Sequence, residues 1–205
     1  MNVKKKPSPK NNLWGLTRGF VLASTSPQRL RLLENAGLVP DTVVGADVDE
    51  SPLDGELPAR YVKRIAVLKA RSVSEKYPNT CVLAADTVIA VGKRIIRKAV
   101  NEDQARENLR LLSGRRHRVM TGICVIKPDG HLIARVIQTA VILKRMDDVD
   151  VQAILSSREW QNVAGYRIEG VLSACVTKII GSFPNIVGLP VFEVAQILKG
   201  ILRQK

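Results

Sequence analysis

The sequence predicts a mixed α/β protein, on three observations. Short apolar runs, Phe20-Val21-Leu22-Ala23 and the stretch over 82–91, have strand character, and helix-period stretches opening at Pro27, Pro58 and Asn101 are interleaved with them. The second run turns at Gly92-Lys93 and returns through Arg94-Ile95-Ile96 as a β-hairpin does, so the sheet is not purely parallel. With 205 residues, 45% hydrophobic and 25% charged, the chain has the material for a sizeable core flanked by helices.

Each element has its own warrant. The strand at Phe20–Ala23 delivers the turn Ser24-Thr25-Ser26-Pro27 and a helix carrying Leu30, Leu33 and Ala36, with Ser26 at the N-cap, Pro27 at the first helical position and Gly37 as the stop. A strand over 41–46 leads to an acidic loop with Asp47, Asp49, Glu50 and Asp54. Pro58 opens a longer helix on which Tyr61, Ile65, Leu68 and Ser72 share one face. Asn101 caps a helix bearing Ala105, Leu109 and Leu112 that stops at Ser113-Gly114. Strands follow over 119–126 and 131–143, joined by Pro128-Asp129-Gly130, and Asp147 caps the next helix. A strand over 171–180, a turn over 182–185 and a helix over 190–202 complete the pattern.

The formal charge is +13, with 32 Lys and Arg against 19 Asp and Glu. Residues 1–17 are expected to be a basic, flexible tail ahead of one domain over 18–205. Aromatic residues, at 4%, are too few for base-stacking platforms and no nucleic-acid motif is present, so a small anionic substrate is expected rather than nucleic acid. No apolar run approaches the roughly 18 to 20 residues of a membrane span, so no membrane partner is expected. Cys81, Cys124 and Cys175 lie in or beside apolar runs without metal-site spacing, which predicts buried thiols and a cytoplasmic setting.

The chemistry centres on Asp86, a carboxylate inside an apolar run. Burying an isolated carboxylate is costly unless a cation, a metal or hydrogen bonds receive it; alone, it reads equally as a strand-end cap facing water. Other polar groups fall where a plain core would not need them. Ser24, Ser26 and the helix start can cradle phosphate oxygens, and Arg29 adds a guanidinium fork. Glu50 and Asp86, if they converge, suit a divalent cation, Mg²⁺ or Mn²⁺, while Lys69 and Lys98 suit the charge of a polyphosphate.

Five segments in register carry a resemblance: Leu22-Ala23-Ser24-Thr25-Ser26-Pro27-Gln28-Arg29, Ala84-Ala85-Asp86-Thr87, Leu112-Ser113-Gly114 with His117, Thr121-Gly122, and Val187-Gly188-Leu189-Pro190. The chain resembles the Maf family of nucleoside triphosphate pyrophosphatases from about Gly19 to Leu202. The resemblance implies an α/β fold of two lobes around a central cleft, related to the inosine triphosphate pyrophosphatases, and often a homodimer. It implies metal-assisted cleavage of a nucleoside triphosphate substrate between its α and β phosphates, with Asp86 as proton acceptor. The alternative is a nucleotide-binding protein linked to septum formation, with weak or no turnover.

Departures from the family pattern bear on substrate choice. Gln28 stands where an arginine is usual. Thr87 matches forms selective for thymidine and uridine triphosphates, whereas Glu169 before Gly170 matches forms selective for 7-methyl-GTP. The usual G-K-P reads Arg97-Lys98-Ala99, and Ala164-Gly165-Tyr166 is one glycine short.

Overall fold

The computed structural model describes residues 13–161, 163 and 165–203. The long apolar run forms β3 (Cys81–Val91), near the middle of one mixed sheet. The elements around it are β1 (Phe20–Ala23), α1 (Pro27–Asn35), β2 (Thr42–Val44), α2 (Pro58–Ser74), β4 (Arg94–Ile96), α3 (Glu102–Leu112), β5 (Arg116–Ile126), β6 (Leu132–Leu143), α4 (Asp148–Ser156), β7 (Val176–Ile180), α5 (Phe183–Val187) and α6 (Val191–Leu202). Among the described residues the sheet has seven strands in the order β2-β1-β3-β5-β6-β7, with β4 paired to β3. β1 runs parallel to β2 and β3, and the other pairs are antiparallel.

Period-two alternation on β3 and β5 divides the apolar interior. On one sheet face Leu83, Ala85, Ile123 and Val125 pack with Leu22, Leu33 and Leu198. Further along the same strands, Ile89 and Val119 join a second core with Leu109, Leu112, Ile154 and Leu172. Between them lies the paired row Thr87 and Thr121. On the opposite face α2 covers Val82, Ala84 and Cys124 with Ala66, Ala70 and Val73, and covers Val88 and Met120 with Tyr61, Val62 and Ile65. The row between these clusters is Asp86 and Gly122. A polar seam thus crosses both faces of the sheet at one level, and it separates the two lobes.

Gly122 sets the distance of α2 from the sheet. A Cβ there would overlap the Val62 carbonyl, so only glycine lets the helix backbone rest on β5 at this point. The buried stripe of α2 comprises Pro58, Tyr61, Val62, Ile65, Ala66, Ala70 and Val73; it includes Tyr61 and Ile65 of the expected face, with Leu68 packed at its edge, and runs on to Ala70 and Val73 rather than to Ser72. Lys69 lies on that stripe, three residues after Ala66, and this turns it toward β3.

Four other expectations are corrected. Val171–Cys175 is a 3-10 turn rather than the start of a strand, and β7 begins at Val176. The turn expected over 182–185 is the start of α5, capped by the Ser182 side chain. Within the expected tail, Leu16 is buried and the Thr17 N–H donates to the Leu202 carbonyl at 2.9 Å, so the chain is packed by that point; residues 1–12 lie outside the described residues. The strand expected over 119–126 begins at Arg116, so His117 is buried on β5 with its Nε2 against the Tyr166 hydroxyl, and burial lowers its pKa to about 4. All three cysteines are free and buried, as expected. Among the described residues no helix is long and apolar enough to cross a membrane.

Candidate active site

The seam opens into a cavity of about 820 Å³, a volume that suits a small organic ligand. Ser24, Ser26, Gln28, Arg29, Glu50, Lys69, Asp86, Thr87, Lys98 and Glu169 all line it. Alternation on β3 sends Asp86 and Thr87 to opposite faces, and each finds a cation there.

Asp86 meets Lys69, whose Nζ lies 2.9 Å from Asp86 Oδ1 and 2.9 Å from Glu50 Oε2. The Lys69 side chain is only 12% exposed, which for lysine marks a held ammonium rather than a solvated one. Burial raises the pKa of Asp86 above that of an ordinary carboxyl, while Lys69 and Arg29 pull it down and Glu50 adds to the rise. The Glu50 loop is tied to α2 by two bonds: the Tyr61 hydroxyl donates to the Glu50 carbonyl at 2.9 Å, and Arg64 donates to the Ser51 carbonyl at 2.9 Å. Burial, then the neighbouring Asp86 and Glu50, raise Tyr61 to about 12, so its proton stays in place. Arg64 also grips Glu56 through two N–H groups at 2.8 and 2.7 Å.

Thr87 meets Arg29. The guanidinium donates from Nε to the Gly188 carbonyl at 2.9 Å, from Nη1 to Ser24 Oγ at 3.1 Å and from Nη2 to Thr87 Oγ1 at 3.2 Å. All three acceptors are neutral, so the positive charge is fixed in place without being cancelled. Burial lowers the pKa of Arg29, opposed by Asp86 and Glu50. Gly188, at φ 130, presents its carbonyl to Arg29 from a backbone conformation that favours glycine. Beneath it a buried chain runs from Thr87 to Thr121 at 2.9 Å and on to the Asn185 carbonyl at 3.3 Å, and the Asn185 amide holds Val119 and Thr139.

The turn before α1 differs from its expected form. Ser26 is the N-cap but makes no side-chain capping bond; its hydroxyl donates to Gln28 Oε1 at 3.1 Å. The Gln28 and Arg29 backbone N–H groups, without partners among the described residues, remain for an anion. Ser24 Oγ accepts from the Ser26 N–H at 3.2 Å as well as from Arg29. Lys98 is exposed on the cavity wall, and Glu169 meets Arg31 at 3.2 Å.

Among the described residues no three His, Cys, Asp or Glu side chains gather as a metal cage. Glu50 and Asp86 do converge on one cation, the Lys69 ammonium. Two carboxylates beside phosphate-binding groups match the way Mg²⁺ is held, by one or two carboxylates together with substrate phosphates. The donors therefore fit a substrate-borne cation and not an all-protein cage.

The sequence placed Thr121 and Tyr166 only in family motifs and Tyr61 only on a helix face, and it gave Asn185 and Arg64 no role at the site. Thr121 had a signal, a hydroxyl in an apolar strand beside glycine, as Asp86 did. Replacement of Arg29 by lysine keeps the charge and loses the fork, because one ammonium cannot reach Gly188, Ser24 and Thr87 at these angles. Arg29→Lys is expected to lower kcat/KM roughly ten- to a hundredfold, the equivalent of one or two charge-assisted hydrogen bonds, in a steady-state turnover assay.

Fold and site together define a two-lobed mixed α/β protein whose cleft holds a buried carboxylate between two fixed cations. The chain belongs to the Maf family: residues 19–201 match the family described as Maf-like protein. It is 50% identical over 182 residues to the dTTP/UTP pyrophosphatase of Paramagnetospirillum magneticum, covering 88% of this chain and 96% of that one. It is 45% identical over 183 residues to the dTTP/UTP pyrophosphatase of Caulobacter vibrioides, covering 89% and 95%. Among solved structures, the Staphylococcus aureus Ham1 protein overlaps 62% of this chain and 72% of its own at TM-score 0.45 and 20% identity.

Proposed function

We propose that this chain hydrolyses the α–β phosphoanhydride of dTTP, UTP or a closely related nucleoside triphosphate, releasing a nucleoside monophosphate and pyrophosphate. The observation that carries the reading is Asp86, buried between Lys69 and Arg29 on the wall of a nucleotide-sized cavity. The names of relatives up to 50% identical support the same substrates.

Asp86 accepts a proton from the attacking water, and its raised pKa gives it more basicity than an exposed carboxylate has. Lys69 and Arg29 sit on opposite faces of β3 beside the base, and with the N–H groups of Gln28 and Arg29 they supply positive potential where phosphate charge gathers. Lys98 adds an exposed cation at the cavity wall. Glu50 and Asp86 are the residues that would hold Mg²⁺ or Mn²⁺. A bound divalent cation supplies Lewis acidity at the phosphate oxygens. Lys69, the partner of both carboxylates, holds its ammonium on the cavity wall, where it would face the phosphates of a bound substrate.

A panel of nucleoside triphosphates with Mg²⁺ or Mn²⁺, read as pyrophosphate released, tests this. dTTP and UTP are expected to lead, and a chelator is expected to abolish release until metal is restored. Turnover of no triphosphate would favour instead a binding protein that keeps the cleft.

A further inference from the structure

Arg31 stands one turn after Gln28 on α1, and both line the cavity. Glu169 reaches the same place from the facing segment, and its Oε2 lies 3.2 Å from Arg31 Nη2. Gln28 is oriented by Ser26, whose hydroxyl donates to its Oε1, so the amide N–H groups are uncommitted among the described residues. Three groups therefore line this part of the cavity side by side: a donor on Gln28, an acceptor on Glu169 and a donor on Arg31.

A carboxylate with both oxygens free can take two adjacent N–H groups, which a guanine edge presents as N1–H and the N2 amine. Here Arg31 engages Oε2 of Glu169 and covers that side of the carboxylate, which leaves Oε1 as the oxygen open to a second donor group. Donor, acceptor and donor complement the two carbonyls and the N3–H of uracil or thymine. Guanine, with one carbonyl and two donor groups, leaves a donor without a partner. Resting on the pyrophosphatase reading above, we infer that Arg31 is a specificity-determining residue, which converts Glu169 from a two-oxygen reader of guanine into a single acceptor for the imide N–H of uracil and thymine nucleotides.

The two side chains are 60% and 49% exposed, so their attraction is weak while water surrounds them. A bound base removes that water, and the pair then acts at low dielectric. This reading also accounts for Thr87 and Glu169 standing together in one chain. Thr87 is committed to Arg29, Thr121 and the Gly188 carbonyl, and the choice at the base edge falls to Glu169 as Arg31 presents it.

The test is kcat/KM for dTTP, UTP, GTP and 7-methyl-GTP, by pyrophosphate release, in the wild-type chain, Arg31→Ala and Arg31→Lys. Wild type is expected to favour the pyrimidine nucleotides. Arg31→Ala is expected to lower the pyrimidine-to-guanine ratio about tenfold or more, with the change carried by KM, and Arg31→Lys to restore most of it by keeping a cation on Glu169. A ratio unchanged within about twofold in Arg31→Ala, a parallel fall for all four substrates, or a wild-type preference for guanine would overturn the role of Arg31 while leaving the pyrophosphatase reading standing. Turnover of none of the four by wild type would overturn both.

Discussion

Asp86→Asn is expected to lower kcat for pyrophosphate release by about 10²- to 10⁴-fold while the protein stays folded. The substitution keeps the shape of the side chain and removes its ability to accept a proton. Lys69 keeps Glu50 at 2.9 Å, so no buried ammonium is stranded. Burial raises the Asp86 pKa in the folded chain above its unfolded value, so the group's contribution to stability is present below the unfolded pKa and is lost as pH rises through the folded one. Near neutral pH the ionised carboxylate is therefore a cost to the fold, and Asp86→Asn is expected to melt no lower than wild type. The same shift fixes the pH profile. Activity requires the ionised base, so kcat/KM has an acid limb, and in the metal-free chain the group behind it titrates above the usual carboxylate range. Lys69→Met removes an interaction that lowers the pKa and is expected to move the limb to higher pH. A limb that stays put in Lys69→Met would show that Asp86 is not the group titrating.

Gly122→Ala is expected to cost stability and activity together. Its Cβ would collide with the backbone of α2 at Val62 and Lys63, which no side-chain rotation relieves. Overpacking of this kind costs roughly 1–3 kcal/mol and at a backbone contact more, or about 2–4 °C of melting temperature per kcal/mol for a chain this long. α2 also carries Lys69, Tyr61 and Arg64, so a helix lifted off the sheet takes away the partner of Asp86 and both anchors of the Glu50 loop. Gly200→Ala is the control. Gly200 lies in α6 with open space around it, and alanine there is expected to stabilise by about 0.5–1 kcal/mol without changing turnover. Equal melting temperatures for the two variants would contradict the close approach of α2 to β5.

The mixed sheet was legible because its strands announce themselves by unbroken apolar runs and its helices by Pro27, Pro58, Asn101 and Asp147 at their starts. Asp86 was legible for a related reason, since a carboxylate in such a run has few uses. The seam itself was not. It depends on β3 pairing with β5 so that Asp86 faces Gly122 and Thr87 faces Thr121, and that register is a long-range property that single-strand patterns do not encode. The face of α2 was legible at Tyr61 and Ile65 but not at its C-terminal end, where Lys69 interrupts the apolar stripe before Ala70 and Val73; the residue that hid the pattern is the one that meets Asp86. His117 was hidden in the same way, by the arginines on either side of it on alternating positions of β5. The Ser24 to Arg29 turn does line the cavity, but its hydrogen bonds were not legible, because the hydroxyls of Ser24 and Ser26 serve Arg29 and Gln28.

The most direct test of the central claim, that Asp86 at the seam drives water onto a phosphoanhydride between the α and β phosphates, is the identity of the first products. With UTP or dTTP and Mg²⁺, wild type is expected to yield nucleoside monophosphate and pyrophosphate in equal amounts from the earliest time points, with Asp86→Asn near background. Orthophosphate and nucleoside diphosphate as first products, or pyrophosphate released as fast by Asp86→Asn as by wild type, would contradict it.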